Sequence, residues 1–538
     1  MNAVTAESPV ITLSGLPATV EAAPVIAQML RRASSPGFPT WWRRVESVGY
    51  CAHPIQLSGA DDTGRRHTVW TRCNNRRATV CPSCSDLYAR DTWQLVHAGA
   101  AGGHHNVPVE VAARPQVFTT LTAPGYGGVH NAIGTVCHPK PSGSATRCRH
   151  GKPLRCTTIH AVDDPVVGQP LCRDCYDYLG HVLFTWHLPE LWRRFTIALR
   201  RAISAHLKTL GVTAGAVRVS FVKVVELQAR AIPHIHALIR LDPPPAATTG
   251  SADRDGYGPA APWGGGEPRS VAGHDAGWSS PITATELAAL IQRAARHVHI
   301  DVPAGDGNGD PGQGGVRTLR FGSQIDTQPL THAIPTAATD SVNTVVSHLS
   351  PRRVAGYLAK YVTKSLHDFG ITARRLSAEA IRDLQVSDHV RAILCTIAEL
   401  AEHTGGAVAG IGRWLHTLGY RGHITTKSRH YSTTMGALRT TRATWTRQQM
   451  TETTQRRNAT QPVHPPADVT ATPGRRREPV DPDAVAWEFD HAGHASAGDR
   501  VLVISAALRH ITARITAITE TRTLTARPRP APPGACDG

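Results

Sequence analysis

Two Cys-x-x-Cys knuckles constrain the fold of this chain more tightly than any other feature. Cys81-Pro-Ser-Cys84 follows Cys51 and Cys73, and Cys172-Arg-Asp-Cys175 follows Cys148 and Cys156. A CxxC turn sets two thiolates on one side of a tight loop, and a second pair folded against it completes a tetrahedral site. The spacing therefore predicts two structural Zn²⁺ sites, one from Cys51, Cys73, Cys81 and Cys84, the other from Cys148, Cys156, Cys172 and Cys175. His150 and His160 lie close enough to replace a cysteine in the second set, and Cys137 is a further candidate. Four protein ligands leave no open coordination position, so neither site is expected to be catalytic. The competing reading makes the thiols buried small hydrophobes or a redox pair. Cys395, in an apolar helical run, reads as core.

That reading requires a reducing compartment. The first residues, MNAVTAESPVITLSGLP, show neither a basic n-region nor a continuous apolar core, so no signal peptide is expected and the location expected is the cytoplasm. No run approaches 18 uninterrupted apolar residues, so no membrane partner is expected. Lys and Arg number 58 against 41 Asp and Glu, a net charge of +17. Such a balance favours a polyanionic partner over a neutral metabolic substrate.

The chain reads as an α+β protein with inserted metal modules. Residues 1–35 read as a disordered arm and 36–110 as an N-terminal zinc-binding module. Residues 111–242 form the first half of a catalytic domain, with the second cluster at 137–175. Within them Gln116–Pro124 is a β-branched strand stopped by proline, Trp192–Leu210 an amphipathic helix, and Val217–Leu227 with Pro233–Leu241 a β-hairpin. The Pro/Gly-rich stretch 243–316 reads as a flexible insertion with one helix, Ile282–Ile300. Residues 317–375 complete the domain with a helix in Ser350–Phe369. Residues 376–451 read as a helical, basic DNA-binding region, and 452–538 as linker, short helix and disordered tail.

Chemistry concentrates in the hairpin. Alternation in a strand puts His234 and His236 on one face, and a turn near Arg230 brings Glu226 across from His234. Two imidazoles and a carboxylate on a sheet surface can hold a divalent cation, Mg²⁺ or Mn²⁺, with positions left open for substrate oxygens. On a helix Tyr357 and Tyr361 share a face, with Lys360 and Lys364 beside them. A phenol there can attack a DNA phosphodiester while lysine offsets oxyanion charge. The bland alternative is surface histidines and core-packed aromatics. Arg352, Arg353, Lys427 and Arg429 are the basic residues expected to hold a DNA backbone.

The order FTTLTAP (Phe118–Pro124), PHIHALIRLD (Pro233–Asp242) and VAGYLAKYVTK (Val354–Lys364) resembles the three motifs of the His-hydrophobic-His (HUH) initiators. The flanks RRATVCPSCS, GQPLCRDCYDY and LGYRGHITTKSRHYSTTMGALR resemble the actinobacterial replication initiators of plasmids and integrative elements, over roughly Pro36 to Arg442. The resemblance implies an HUH-type antiparallel sheet flanked by helices. It also implies origin nicking through a 5′-phosphotyrosine, and rolling-circle replication. His234 and His236 match the metal pair, Glu226 the upstream acidic position, and Tyr357 and Tyr361 the two-tyrosine motif. The turn before His234 is Ala229-Arg230-Ala231-Ile232, where related initiators often carry glycine. No GxxxxGK[ST] loop is present, so unwinding is assigned to a host helicase and synthesis to a host polymerase. The rival class is a zinc-stabilised DNA-binding regulator without catalysis.

Overall fold

A computed structural model of the chain describes residues 21–139, 146–244, 277–303, 315–330, 349–362, 369, 371, 376–402, 406–460 and 485–526. In chain order the elements are α1 (Ala22–Ala33), α2 (Phe38–Ser47), β1 (Ile55–Ala60), β2 (Arg66–Thr71), α3 (Pro82–Ala101), β3 (Gln116–Leu121) and α4 (Tyr178–Thr209). There follow β4 (Arg218–Leu227), β5 (Pro233–Asp242), α5 (Ala284–His297), β6 (His299–Pro303), β7 (Val316–Arg320), β8 (Ile325–Pro329) and α6 (Pro351–Val362). The last are α7 (Asp388–Glu402), β9 (Thr425–Lys427), α8 (Met435–Thr460), β10 (Glu488–Ala492) and α9 (Ala497–Ala526). The chain is mixed helix and sheet, and it divides into two compact units, Met1–Arg90 with Arg447–Gly538, and Asp91–Thr446.

The larger unit is built on a five-stranded sheet, ordered β8-β3-β5-β4-β9 and antiparallel at every pairing. β5 is buried at all its positions because both of its faces are covered. Val117, Leu121, Ile235, Ala237, Ile239 and Leu241 pack on one side against Leu191, Phe195 and Leu199 of α4 and Leu287 and Ile291 of α5. The period-two alternation then sends His234, His236 and Leu238 to the other face, where α6 lies against β4.

In the smaller unit β1 pairs with both β2 and β10, antiparallel. Arg32 of α1 makes a bidentate pair with Asp499 of α9, at 2.8 and 2.7 Å. One helical segment, Ala497–Thr521, has the length and apolarity to cross a membrane by composition, with a mean hydropathy of 1.5. Its first half carries Val501, Val503, Ile504, Ala506 and Ala507, all buried within the unit.

Several expectations need correction. Part of the supposed arm 1–35 is α1, which buries Val25, packs on α9 and pairs Arg32 with Asp499, 467 residues downstream. In 452–538, β10 and the 30-residue α9 replace a short helix between linkers. In 243–316, α5, β6 and β7 belong to the packed unit, since Leu287, Ile291, Ile300 and Leu319 enter the core. The stretch 376–451 is not wholly helical, because Thr425–Lys427 joins the sheet as an edge strand on β4. α4 begins at Tyr178, capped by the Asp177 carboxylate accepting from the Gly180 N–H at 2.8 Å, and it contains Pro189. An interior proline costs a helix roughly 3 kcal/mol, and burial of Phe184, Trp186 and Leu188 beside it opposes that cost. Cys395 is exposed: the buried stripe of α7 is Val390, Ile393, Leu394 and Ile397, and position 395 falls off it.

Candidate active site and metal-binding clusters

The β4–β5 register places Glu226 opposite His234 and Val224 opposite His236. The Glu226 carboxylate reaches diagonally, so that His236 Nε2 lies 2.9 Å from Glu226 Oε2. The other nitrogen, Nδ1, is 3.1 Å from Thr120 Oγ on the neighbouring strand. Phe118 stacks beside the imidazole at 6.2 Å with rings only 4° from parallel. His236 is thus fixed by three strands at once.

α6 covers this face. Ser350 caps it through the Arg353 N–H at 3.3 Å, and Pro351 opens its first turn, a favoured position for a residue lacking N–H. Tyr357 and Tyr361, one turn apart, have ring centroids 4.5 Å from each other. His236 lies 5.2 Å from the Tyr357 ring, edge-on, and 5.5 Å from the Tyr361 ring, stacked. Tyr357 remains 38% exposed to solvent. Burial pushes its phenol above the usual tyrosine range, helped by a hydrogen bond with Tyr361 and by the charges of Tyr361, Glu226 and Asp326.

His234 stands differently. Its Nε2 faces the Arg230 guanidinium at 3.3 Å. Burial first, then Arg230 and His236, push its imidazole down to about 3. The donor set fits a hard divalent cation in part. Ligand bonds of 2.0–2.1 Å in an octahedron put neighbouring donors roughly 2.9 Å apart, and His236 Nε2 and Glu226 Oε2 have that separation. For His234 to join them Arg230 has to swing away, and among the described residues these three do not form a group converging within 4.8 Å.

Of the basic residues, Lys360 is exposed with its amine 5.9 Å from the Tyr361 ring. Arg352 and Arg353 are exposed on the first turn of α6, and Arg429 is exposed beyond β9. Lys427 is half-buried and donates to the Ser428 and Arg429 carbonyls at 3.4 and 3.1 Å. Burial, then Arg240, push its amine down to about 8. Lys364 lies outside the described residues. Sequence reasoning missed Thr120, Arg230 and Asp326. Only the alternation of Phe118 with Thr120, and of Asp326 with Gln328, hinted that these side chains share the face of the histidine pair.

Among the described residues, three groups of four bring their ligand atoms within 4.8 Å: Cys51, Cys73, Cys81 and Cys84; Cys148, His150, Cys172 and Cys175; and His130, Cys137, Cys156 and His160. The first is the expected set, with Cys51 Sγ 3.8 and 3.6 Å from those of Cys81 and Cys84. The expected second set is divided. His150 takes the fourth place beside Cys148, Cys172 and Cys175, its Nδ1 3.3 Å from Cys175 Sγ. Cys156 is withdrawn because its backbone exchanges two hydrogen bonds with His138, which carries it to Cys137.

A family model described as replication initiator protein, pSAM2, matches residues 37–508. A replication initiator protein of Streptomyces ambofaciens is 34% identical over 449 residues, 80% of this chain and 84% of that protein. The chain belongs to this replication initiator family. No solved structure matches it. The family match of this initiator takes in all three Cys/His groups, the β4–β5 hairpin and α6. It also extends past β10 into α9, where the sequence carries a C-terminal echo of the resemblance that covers roughly Pro36 to Arg442.

Proposed function

We propose that this initiator is an HUH-type endonuclease that nicks one strand at the origin of a plasmid or integrative element and starts rolling-circle replication. The observation that carries the reading is the seating of His236 within 5.5 Å of both helix-borne tyrosine rings. His236 and Glu226, joined by His234 once Arg230 moves, would hold Mg²⁺ or Mn²⁺, which supplies Lewis-acid polarisation of the scissile phosphate. Tyr357 or Tyr361 attacks phosphorus, forming a Tyr Oη–P bond and breaking the P–O3′ bond. The phenol proton ends on the departing 3′ oxygen, leaving a 3′ hydroxyl for a host polymerase and a 5′-phosphotyrosine. The second phenol can attack the regenerated junction after one round. Lys360 offsets charge at the reacting phosphate, and Arg352, Arg353 and Arg429 bind the strand through salt-dependent phosphate contacts. The Cys51 group and the Cys148 group hold structural Zn²⁺, since four protein ligands close each site.

The test incubates purified full-length chain with origin single strand or hairpin and Mn²⁺. A detergent-resistant protein–DNA adduct is expected with the native chain and none with Y357F/Y361F. An adduct that persists in the double variant rejects these nucleophiles. One observation favours a non-catalytic origin-binding regulator: both nitrogens of His236 are already bonded within the protein. That reading predicts retained origin binding with no adduct from the native chain.

A further inference from the structure

We infer that His130, Cys137, Cys156 and His160 form a third zinc centre, and that this centre clamps the β4–β5 turn from which the histidine pair departs. The ligand geometry comes first. Zn–N bonds of 2.0–2.1 Å and Zn–S bonds of 2.3 Å set tetrahedral edges of roughly 3.3 Å between nitrogens and 3.8 Å between sulfurs. His130 Nδ1 lies 3.3 Å from His160 Nε2, Cys156 Sγ lies 3.3 Å from the same nitrogen, and Cys137 Sγ lies 3.9 Å from His130 Nδ1. The outer shell is built as well. His160 Nδ1 donates to the Asp164 carboxylate at 2.7 Å, which fixes the tautomer that presents Nε2 as a lone-pair donor. Cys137 Sγ accepts from the Asn131 N–H at 3.3 Å and sits 3.0 Å from His138 Nδ1. Zinc entry releases the protons of two thiols.

The mechanical link runs through Asp164. Its other oxygen accepts from the Val166 N–H at 3.0 Å, which starts the turn that ends at Gly168. Gly168 N–H donates to the His130 carbonyl at 2.8 Å, tying that turn back to a zinc ligand. Gly168 has φ +88°, and a Cβ there would fall 2.4 Å from the Ala229 carbonyl oxygen. The metal loop therefore rests backbone to backbone on the Gln228–Ile232 turn, beside Arg230 and its contact with His234. The centre stands whether or not the chain nicks DNA.

Four measurements on the full-length protein decide it. Metal analysis after loading with zinc alone is expected to give three equivalents per chain, and the cadmium-113 spectrum of cadmium-loaded protein three resonances, for four, three and two sulfurs. Two or fewer equivalents, or no resonance in the two-sulfur region, overturns the centre. Asp164→Ala is expected to weaken zinc at this centre alone by roughly 10–100-fold. With that centre emptied, hydrogen exchange of the Gln228–Ile232 peptide should rise severalfold while the other two resonances stay. Unchanged exchange overturns the clamp.

Discussion

His236 can present either nitrogen to a partner only because Thr120 can answer both ways. While Nε2–H donates to Glu226, Nδ1 accepts from the Thr120 hydroxyl; if Nε2 is given to a cation, the proton sits on Nδ1 and the hydroxyl turns to accept it. Thr120→Val keeps the branched shape and removes both options. The expected outcome is a stability loss of roughly 1–3 kcal/mol, from a buried nitrogen left unpaired. Adduct formation should slow by roughly 10–100-fold, as for other outer-shell partners. Urea unfolding and the adduct rate measure the two effects, and an undiminished rate shows that Thr120 does not orient the imidazole. At this scale much of the site was legible: alternation gave the shared face of His234 and His236, and the hairpin gave Glu226. Thr120 and Asp326 were not, because a strand sequence does not say which strand lies beside it. Nor was Arg230, whose side chain folds back onto His234 from within the turn.

The elements that carry the site are joined at one turn. Ala231 adopts φ +61°, in the left-handed region, a conformation that glycine takes without steric cost and that an alanine must be held in. Two imidazoles hold the turn in place: His181 Nε2 donates to the Ala231 carbonyl at 3.3 Å and His389 Nε2 to the Arg230 carbonyl at 3.1 Å. Burial pushes His181 down to about 3 and His389 down to about 4, so both stay neutral in the fold. Their folded values lie below the unfolded one near 6.5, so the unfolded chain takes up more protons in between. Stability should therefore be full above pH 6.5 and fall progressively toward pH 4, with roughly 3 kcal/mol lost through His389 alone. Urea midpoints across that range should flatten in His389→Gln, and an equally steep profile in the variant removes His389 from the explanation. The hairpin and α6 were readable from local periodicity. The first half of α4 was not, because Pro189 signals a break that burial on two sides overrides: Leu183, Phe184 and Leu188 face the sheet core, while Val182 and Trp186 face α7.

At the scale of the molecule, the smaller unit shows why the C-terminal segment resisted reading. β10 is exposed at every position and has no apolar alternation to announce it, yet it pairs with β1 more than 400 residues earlier. Ile504 of α9 packs with Cys51, Cys81 and Cys84, and His494 donates to the Cys51 carbonyl at 3.0 Å. The first metal group is thus covered by residues from the far end of the chain. Asp499 fixes that cover: its buried carboxylate takes both hydrogen bonds from Arg32, and its N–H is capped by Ser496 Oγ at 3.1 Å. Asp499→Ala leaves Arg32, itself partly exposed, without this partner, at a cost of roughly 1–3 kcal/mol for a charge-assisted bond. Faster zinc loss to chelator from the four-cysteine group and higher hydrogen exchange in α1 and β1 are expected, because α9 no longer holds its place over Cys51. The two groups at Cys148 and Cys156 are expected to keep their metal-release rates, since their ligands belong to the other unit. Equal acceleration at all three groups would show instead that the metal sites open through one global unfolding step.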